Sequence, residues 1–224
     1  MRNICKLFTL FLLIVFSNTR LQAQHVVTEG RAVYSASYDI PADQLQNYGA
    51  LPTQIITYFR GDSSAAIISE GNAVIKGVSV IKTNFNSMII DIPAASKKFF
   101  VLLTPEEVAE DNADNPQFTA KPGTDRDIIN GFRCTKTILT ETKTGASYEL
   151  WQTNDISMAS NSLSRAVSSF GGVPVRFVTF NHGIKISAEL VAIEEVAIPQ
   201  GFFSASKDYQ SMSYQELKKL SGGK

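Results

Sequence analysis

Apolar and polar residues alternate over most of this chain from residue 30 onward, a period of two that is typical of β-strands. In the first such segment Ala32, Tyr34, Ala36 and Tyr38 fall on one side of an extended backbone. Later segments are separated by short breaks that contain glycine or asparagine, which favour tight turns. The spacing predicts about nine strands, most of them joined as antiparallel hairpins. One strand is predicted to run without a break from Ile128 to Thr142.

Three short stretches carry helix signals instead. Thr104 is followed by a proline and then by Glu107, an order typical of a helix start closed by a capping box. Ser213 and Glu216 repeat the capping pair and predict a final amphipathic helix. Apolar residues at helical spacing predict a further helix from Ser162 to Phe170.

These elements define a mainly β fold of the α+β kind. Parallel β-α-β units would need a long helix between successive strands, and no such helices are predicted. We therefore expect a single curved antiparallel sheet, or a half-open barrel, with two or three short helices on its concave side. No linker or break in composition divides residues 24–224, so these residues are expected to form one domain.

Several predicted strands are apolar on both faces, which is more than a sheet with one solvated face requires. Few helices are predicted to cover such a sheet, and the sequence leaves open whether it encloses a filled core or a cavity for an apolar ligand. The side chains expected to line such a cavity are Met88, Ile90, Ile92, Phe99, Val101, Leu103, Trp151 and Phe177.

The first 23 residues have the order of a secretory signal peptide. Arg2 and Lys6 form a basic start, Leu7 to Phe16 are almost entirely apolar, and cleavage is expected after Ala23. The apolar run of about ten residues is too short to cross a bilayer core, which needs about twenty. We therefore expect a signal peptide over residues 1–23, a periplasmic or secreted mature chain, and no membrane span after cleavage.

The charge of the chain argues against nucleic acid as a partner. The full chain has 21 basic and 21 acidic residues, and removal of Arg2, Lys6 and Arg20 with the signal leaves a net charge near −3. A weakly acidic chain without a run of lysine and arginine has no electrostatic attraction to a phosphate backbone. A lipid or lipoprotein is the expected partner instead, and the oligomeric state is left open.

The sequence offers few residues that could carry out catalysis. Cys134 is the only cysteine expected in the mature chain, and its place on a strand predicts a buried, inert thiol. His25 lies next to the expected cleavage site and His182 precedes a glycine in a turn, so neither is an expected base or ligand. The acidic stretch from Glu106 to Asp114 lacks the glycine of a calcium loop. We therefore expect no enzyme activity, no cofactor and no metal site.

Short segments along most of the mature chain resemble a family of secreted bacterial proteins of unknown function. These segments are Glu29–Tyr34 (EGRAVY), Ile129–Lys136 (INGFRCTK), Glu149–Ile156 (ELWQTNDI), Gly172–Val175 (GVPV) and Ile198–Phe202 (IPQGF). That family is grouped with the lipoprotein-localisation factors of the LolA/LolB type. The resemblance implies an antiparallel half-barrel whose helices plug an apolar hollow that accepts acyl chains. No ligand-contact motif of those carriers is recognisable, so the resemblance implies no binding residues.

Three functions follow as hypotheses. The first is a soluble periplasmic carrier or binding protein for a lipid, an acyl chain or a lipoprotein. The second is a structural or interaction module of the envelope with a filled core and no ligand. The third and most distant is an extracytoplasmic hydrolase, because two carboxylates far apart in the sequence can still meet in space.

Overall fold

The computed structural model describes residues 26–43, 46, 48 and 51–220. The expected signal peptide, its cleavage site and His25 lie outside these residues. Within the described part of the chain, no helix is long and apolar enough to span a membrane.

The fold is built on one sheet of twelve strands. The strands are β1 Glu29–Asp39, β2 Gln54–Arg60, β3 Ser63–Glu70, β4 Ala73–Val80, β5 Phe85–Ile92, β6 Lys97–Leu103, β7 Phe118–Ile129, β8 Phe132–Glu141, β9 Ser147–Thr153, β10 Val173–Asn181, β11 Ile184–Glu194 and β12 Gln210–Ser211. The described residues also contain two short α-helices, α1 Pro105–Asp111 and α2 Tyr214–Leu220. The prediction of a mainly β fold with few short helices is confirmed.

The sheet consists of two meanders that meet at β1 and β11. Consecutive strands lie side by side from β1 to β6 and again from β7 to β11, and β1 pairs with β11 between them. The order across the sheet is β12-β6-β5-β4-β3-β2-β1-β11-β10-β9-β8-β7, so β12 and β7 are its two edges and the sheet is not closed. The pairing of β12 with β6 is parallel, which corrects the expectation of a purely antiparallel sheet.

The predicted unbroken strand from Ile128 to Thr142 is wrong, because the backbone turns at Asn130 and Gly131. Both residues have positive φ, 51° and 87°, as a two-residue hairpin turn between twisted strands requires. The turn separates β7 from β8, which pair with each other. Most side chains of β7 are exposed, as expected for an edge strand, so this strand lacks the apolar alternation that would reveal it. It helps to raise the number of strands above the expected value of about nine.

One face of the sheet, which we call the inner face, carries the main core. Tyr34 of β1 lies opposite Leu190 of β11 on this face, and both are buried. The ring of Tyr34 also meets the ring of Phe177 edge-on, with a centroid distance of 6.0 Å. Residues 156–170, which we call the plug, cover this part of the inner face. The plug contributes three buried apolar side chains to the core, namely Ile156, Leu163 and Val167.

Small residues on β3 and β4 allow the plug to lie directly on the sheet. Ser64 Oγ donates a hydrogen bond to the carbonyl oxygen of Ser160 at 3.0 Å. A Cβ atom added at Gly77 would lie only 3.3 Å from Ser162 Oγ. The short distance between plug and sheet therefore depends on the small side chains beneath the plug.

The predicted helix from Ser162 to Phe170 is wrong, because the plug forms turns and a single 3-10 turn over Ser168–Phe170. Asn161 Oδ1 accepts hydrogen bonds from the backbone N–H groups of Leu163 and Ser164, at 3.0 and 3.3 Å. Bonds of this kind compete with helical backbone bonds, and the serine-rich plug offers several side chains that can make them.

Both capping predictions are confirmed. At the start of α1, Thr104 Oγ1 accepts from the N–H of Glu107 at 3.2 Å, and the N–H of Thr104 donates to Glu107 Oε2 at 2.9 Å. At the start of α2, Ser213 Oγ accepts from the N–H of Glu216 at 3.2 Å, and the N–H of Ser213 donates to Glu216 Oε2 at 2.8 Å. Apolar side chains of the two helices pack on the inner face of β5 and β6.

The opposite face of β2 to β6 is covered by residues 198–209, which we call the C-terminal strap. The ring of Phe202 in the strap lies 4.7 Å from the ring of Tyr58, measured between centroids. Lys76 Nζ donates a hydrogen bond to the carbonyl oxygen of Phe202 at 2.8 Å. After the strap, the chain forms β12 beside β6 and enters α2 on the inner face. The last segment of the chain thus contacts both faces of the same half of the sheet.

Candidate functional site

Seven of the eight residues expected to line a cavity share the inner face. Six of them lie on the neighbouring strands β5 and β6, where Met88 is opposite Val101 and Ile90 is opposite Phe99. The seventh, Phe177, lies on β10 in the main core. The full inner-face set is Met88, Ile90, Ile92, Phe99, Val101, Leu103 and Phe177.

Most of these side chains are packed against the protein itself and do not face an open hollow. Val101 is 0% exposed, Phe177 2%, Ile90 6% and Leu103 7%. Val101 and Leu103 pack under α1 and α2, together with the buried ring of Tyr214. The inner face is therefore largely filled by the plug and the two helices.

Trp151 lies on the other side of the sheet. It is paired with Lys136 on β8 and with Arg176 on β10, whereas its neighbour Leu150 is buried in the inner core. Lys136 Nζ is 5.5 Å from the centroid of the tryptophan ring, and the indole Nε1 donates to Glu149 Oε2 at 3.1 Å. The structure thus places the half-buried Trp151 beside charged side chains on the outer face, although it also packs against the main core.

A groove of about 450 Å³ lies between the plug and the segment that contains α1 and the connection to β7. Its apolar walls are formed by Pro105, Val108, Ala109, Pro116, Phe118, Ala166 and Phe170. Its polar lining consists of Asn112, Asn115, Gln117, Arg165 and Ser169. The lining of the groove is thus about half polar and half apolar, and it contains one cation, Arg165.

Hydrogen bonds hold the connection between α1 and β7 in place. Asn112 Nδ2 donates to the carbonyl oxygen of Val108 at 2.7 Å, and Asn115 Nδ2 donates to Asn112 Oδ1 at 3.1 Å. Asn115 Oδ1 in turn accepts from the N–H of Gly183, in the turn between β10 and β11, at 3.3 Å. The wall of the groove is therefore attached to the sheet at a second point beyond α1.

Aromatic side chains continue the apolar wall beyond the groove. Phe118, which lines the groove, has its ring 5.9 Å from that of Tyr148 and 6.0 Å from that of Phe180, measured between centroids. Tyr148 and Phe180 are also 6.0 Å apart. This three-ring cluster fixes the position of Phe118.

Arg165 is the half-buried cation of the groove. Its Nη2 donates to Asn86 Oδ1 at 3.0 Å and to Ser79 Oγ at 3.4 Å, and both acceptors are uncharged. In the described part of the chain it forms no ion pair, and its Nε and Nη1 have no hydrogen-bond partner. Burial lowers the pKa of Arg165, and the charge of Asp111 acts in the opposite direction. The guanidinium nevertheless remains charged at neutral pH, because arginine is not deprotonated in proteins.

Asp111 belongs to a contact that joins the two helices. Tyr214 Oη donates to Asp111 Oδ1 at 3.1 Å, and Lys218 Nζ donates to Glu110 Oε1 at 2.6 Å. Burial raises the pKa of Tyr214, and the charge of Asp111 raises it further. The end of α1 beside the groove is therefore tied to α2.

Catalytic groups do not converge at the groove. His182 is an exposed turn residue with φ of 47°. Cys134 is buried, as expected, and burial raises the pKa of its thiol. Across the described ranges, no three His, Cys, Asp or Glu side chains are grouped as a metal site would require.

Sequence reasoning identified neither Arg165 nor the groove. The groove forms between two segments that are about 50 residues apart, and neither has a periodic pattern pointing to the other. One local signal was present, because Arg165 is the only charged residue between Ile156 and Phe170.

The topology defines a class of mainly β proteins built on one large, open sheet with two meanders. No family model matches the chain. No curated protein sequence matches it. Two solved structures of PNGF-II, in the P21 and C2 space groups, are similar to it with TM-scores of 0.52 and 0.53 and 13% sequence identity. The matches cover 86% of this chain but only 33% and 32% of PNGF-II, so this chain spans about a third of that protein. At this identity the similarity concerns the fold alone.

Proposed function

We propose that this protein is a non-catalytic binding protein of the periplasm or extracellular space that holds the apolar part of a ligand in the groove. The observation that carries the proposal is the groove itself, with about 450 Å³ of space and seven apolar side chains in its wall. Small-molecule sites typically have volumes of about 300–1,000 Å³. The expected ligand is a lipid, an acyl chain or the lipid part of a lipoprotein, and the resemblance to the LolA/LolB type supports the same class.

A half-open barrel with helices on its concave side is part of this proposal. The two unpaired edges of the sheet are compatible with such a barrel, and α1, α2 and the plug all pack on the inner face. The ligand would then enter between α1 and the plug, because the remainder of the inner face is filled.

Export of the protein rests on residues 1–23, whose order is that of a signal peptide. Sequencing the N-terminus of protein isolated from the periplasmic or culture fraction tests it, and a mature chain that begins at Gln24 is expected. Recovery of the chain only from the cytoplasm, with Met1 retained, would overturn this part of the proposal.

Binding is tested by native mass spectrometry of the mature chain and by titration with a fluorescent fatty acid. Ala109→Phe places a large ring into the groove from an exposed position on α1 and is expected to weaken probe binding about tenfold or more. Glu106→Phe places the same ring on α1 outside the groove, and its affinity should equal that of the unmodified protein. The proposal fails if no ligand is retained and the probe does not bind saturably.

A second candidate is an interaction module without a ligand, which the filled inner face favours. Four of the residues expected to line a cavity are buried on that face, and the plug occupies the space above the main core. Cross-linking in intact cells discriminates the two candidates. A single stoichiometric protein partner, together with no bound lipid and no effect of Ala109→Phe, would favour the interaction module.

A further inference from the structure

The cation of the groove has no anionic partner in the described part of the chain, and its Nε and Nη1 are open to solvent. A charged group removed from water is costly unless hydrogen bonds and an opposite charge compensate it. Arg165 has two uncharged acceptors on Nη2, and its Nε and Nη1 are left without partners in the described part of the chain. Among the residues that line the groove, Arg165 is the only charged one, and no Asp or Glu is present.

Asp111 is the charged residue that acts on Arg165. Its negative charge raises the arginine pKa, whereas burial lowers it. Asp111 does not line the groove, and its Oδ1 already accepts a hydrogen bond from Tyr214. It therefore reduces the positive potential in the groove without occupying the free donors of Arg165.

Apolar side chains lie beside this cation. Val108 of α1, Phe118 of β7 and Phe170 of the plug all line the same groove. A ligand that satisfies both parts of the site has an anionic oxygen group for the guanidinium and an apolar body for the rings. The volume of about 450 Å³ suits one chain or one compact apolar body.

We infer that the groove binds a single-chain amphiphile with a carboxylate head group, which pairs with Arg165 while its chain lies against Val108, Phe118 and Phe170. This inference rests on the proposed function and adds the head group and the single chain to it. Carboxylate oxygens accept charge-assisted hydrogen bonds from guanidinium N–H groups, and such bonds are about twice as strong as neutral ones.

The test compares two ligands of equal length, dodecanoate and dodecanol, in displacement of a fluorescent probe from the delipidated mature chain. We expect dodecanoate to bind about 10- to 100-fold more tightly than dodecanol. Arg165→Gln should reduce the affinity for dodecanoate to that for dodecanol and leave dodecanol unchanged. Arg165→Lys should retain part of the difference, because it keeps the charge.

Arg126→Gln is the matched control, since this arginine is exposed on β7 and lies outside the groove. Its affinities for both ligands should be unchanged. Equal affinity of the unmodified protein for both ligands would overturn the head-group inference and leave the groove as an apolar site. Binding of neither ligand would overturn the proposed function itself. If Arg165→Gln weakened the binding of dodecanoate and dodecanol equally, Arg165 would have a structural role, and the inference would also be overturned.

Discussion

The phenol of Tyr214 in α2 donates a hydrogen bond to Asp111 at the end of α1, with an Oη to Oδ1 distance of 3.1 Å. The two residues are 103 positions apart, and the bond joins the helices that cover the inner face of β5 and β6. Loss of the tyrosine hydroxyl would leave the Asp111 carboxylate with one hydrogen-bond donor fewer. The contact therefore ties the groove wall to the last helix of the described chain.

Tyr214→Phe should lower the free energy of unfolding by about 1 kcal/mol, since it removes one hydrogen bond and keeps the ring in place. Urea denaturation followed by tryptophan fluorescence measures the change. Lys219→Ala, an exposed position on the same helix, should change stability by less than about 0.5 kcal/mol. Equal midpoints for Tyr214→Phe and the unmodified protein would show that the bond is not stabilising.

The stability of the protein should fall in alkaline solution. Burial raises the pKa of Tyr34, and burial and Asp111 raise the pKa of Tyr214. In the unfolded chain both lose a proton near a pH of about 10, whereas in the folded chain they keep it to higher pH. The unfolded state then binds fewer protons than the folded state, so stability declines as the pH rises above about 10.

Denaturation midpoints between about pH 8 and 11 test this expectation, with Tyr34→Phe as the comparison. The variant also loses the hydrogen bond from Tyr34 Oη to the carbonyl oxygen of Pro174, which lowers stability at every pH. Its decline above about pH 10 should nevertheless be less steep than that of the unmodified protein. If the midpoints of both proteins declined equally steeply with pH, Tyr34 would not be the cause of the loss of stability in alkaline solution.

Gly77→Val should destabilise the protein by about 1–3 kcal/mol, because the added methyl groups meet the plug at Ser162. Gly77→Ala adds a single Cβ at 3.3 Å from Ser162 Oγ and should lower the free energy of unfolding by less than Gly77→Val does. The double variant Gly77→Val with Ser162→Gly should recover part of the loss. Thermal unfolding reports all three changes, and equal stability of the two Gly77 variants would contradict close contact between plug and sheet.

The thiol of Cys134 should resist modification in the folded protein. It is buried, and burial raises its pKa, so little reactive thiolate is present at neutral pH. Labelling with a chromogenic disulfide reagent should be slow in buffer and fast and stoichiometric in urea. Rapid labelling of the folded chain would show that the strand pairing around β8 opens readily.

Local chemistry explains which elements of the fold could be predicted from the sequence. The caps at Thr104 and Ser213 are confirmed because the residues that define them lie within one helical turn. The hairpin strands are confirmed where one face is apolar, as for Ala32 and Tyr34. β7 was missed over most of its length, because an edge strand with exposed side chains has no apolar face to mark it.

The plug and the groove depend on interactions between distant segments. The apolar spacing from Leu163 to Phe170 was compatible with a helix, but the Asn161 side chain and the contact with β3 and β4 favour turns. The groove exists because residues 105–118 lie beside residues 165–170. No pattern in either segment predicts that the two are in contact. Trp151 illustrates the same limit, since alternation assigns a strand face without stating which face is the inner one.

The pairing of β1 with β11 has a consequence for the order of folding. Arg31 of β1 and Glu194 of β11 are paired although they are 163 positions apart. Each meander contains mainly local pairings, whereas their junction requires closure of a very long loop, which is entropically slower. We expect the two meanders to form early and to join late, so that the chain remains in two halves until β11 is available to pair with β1.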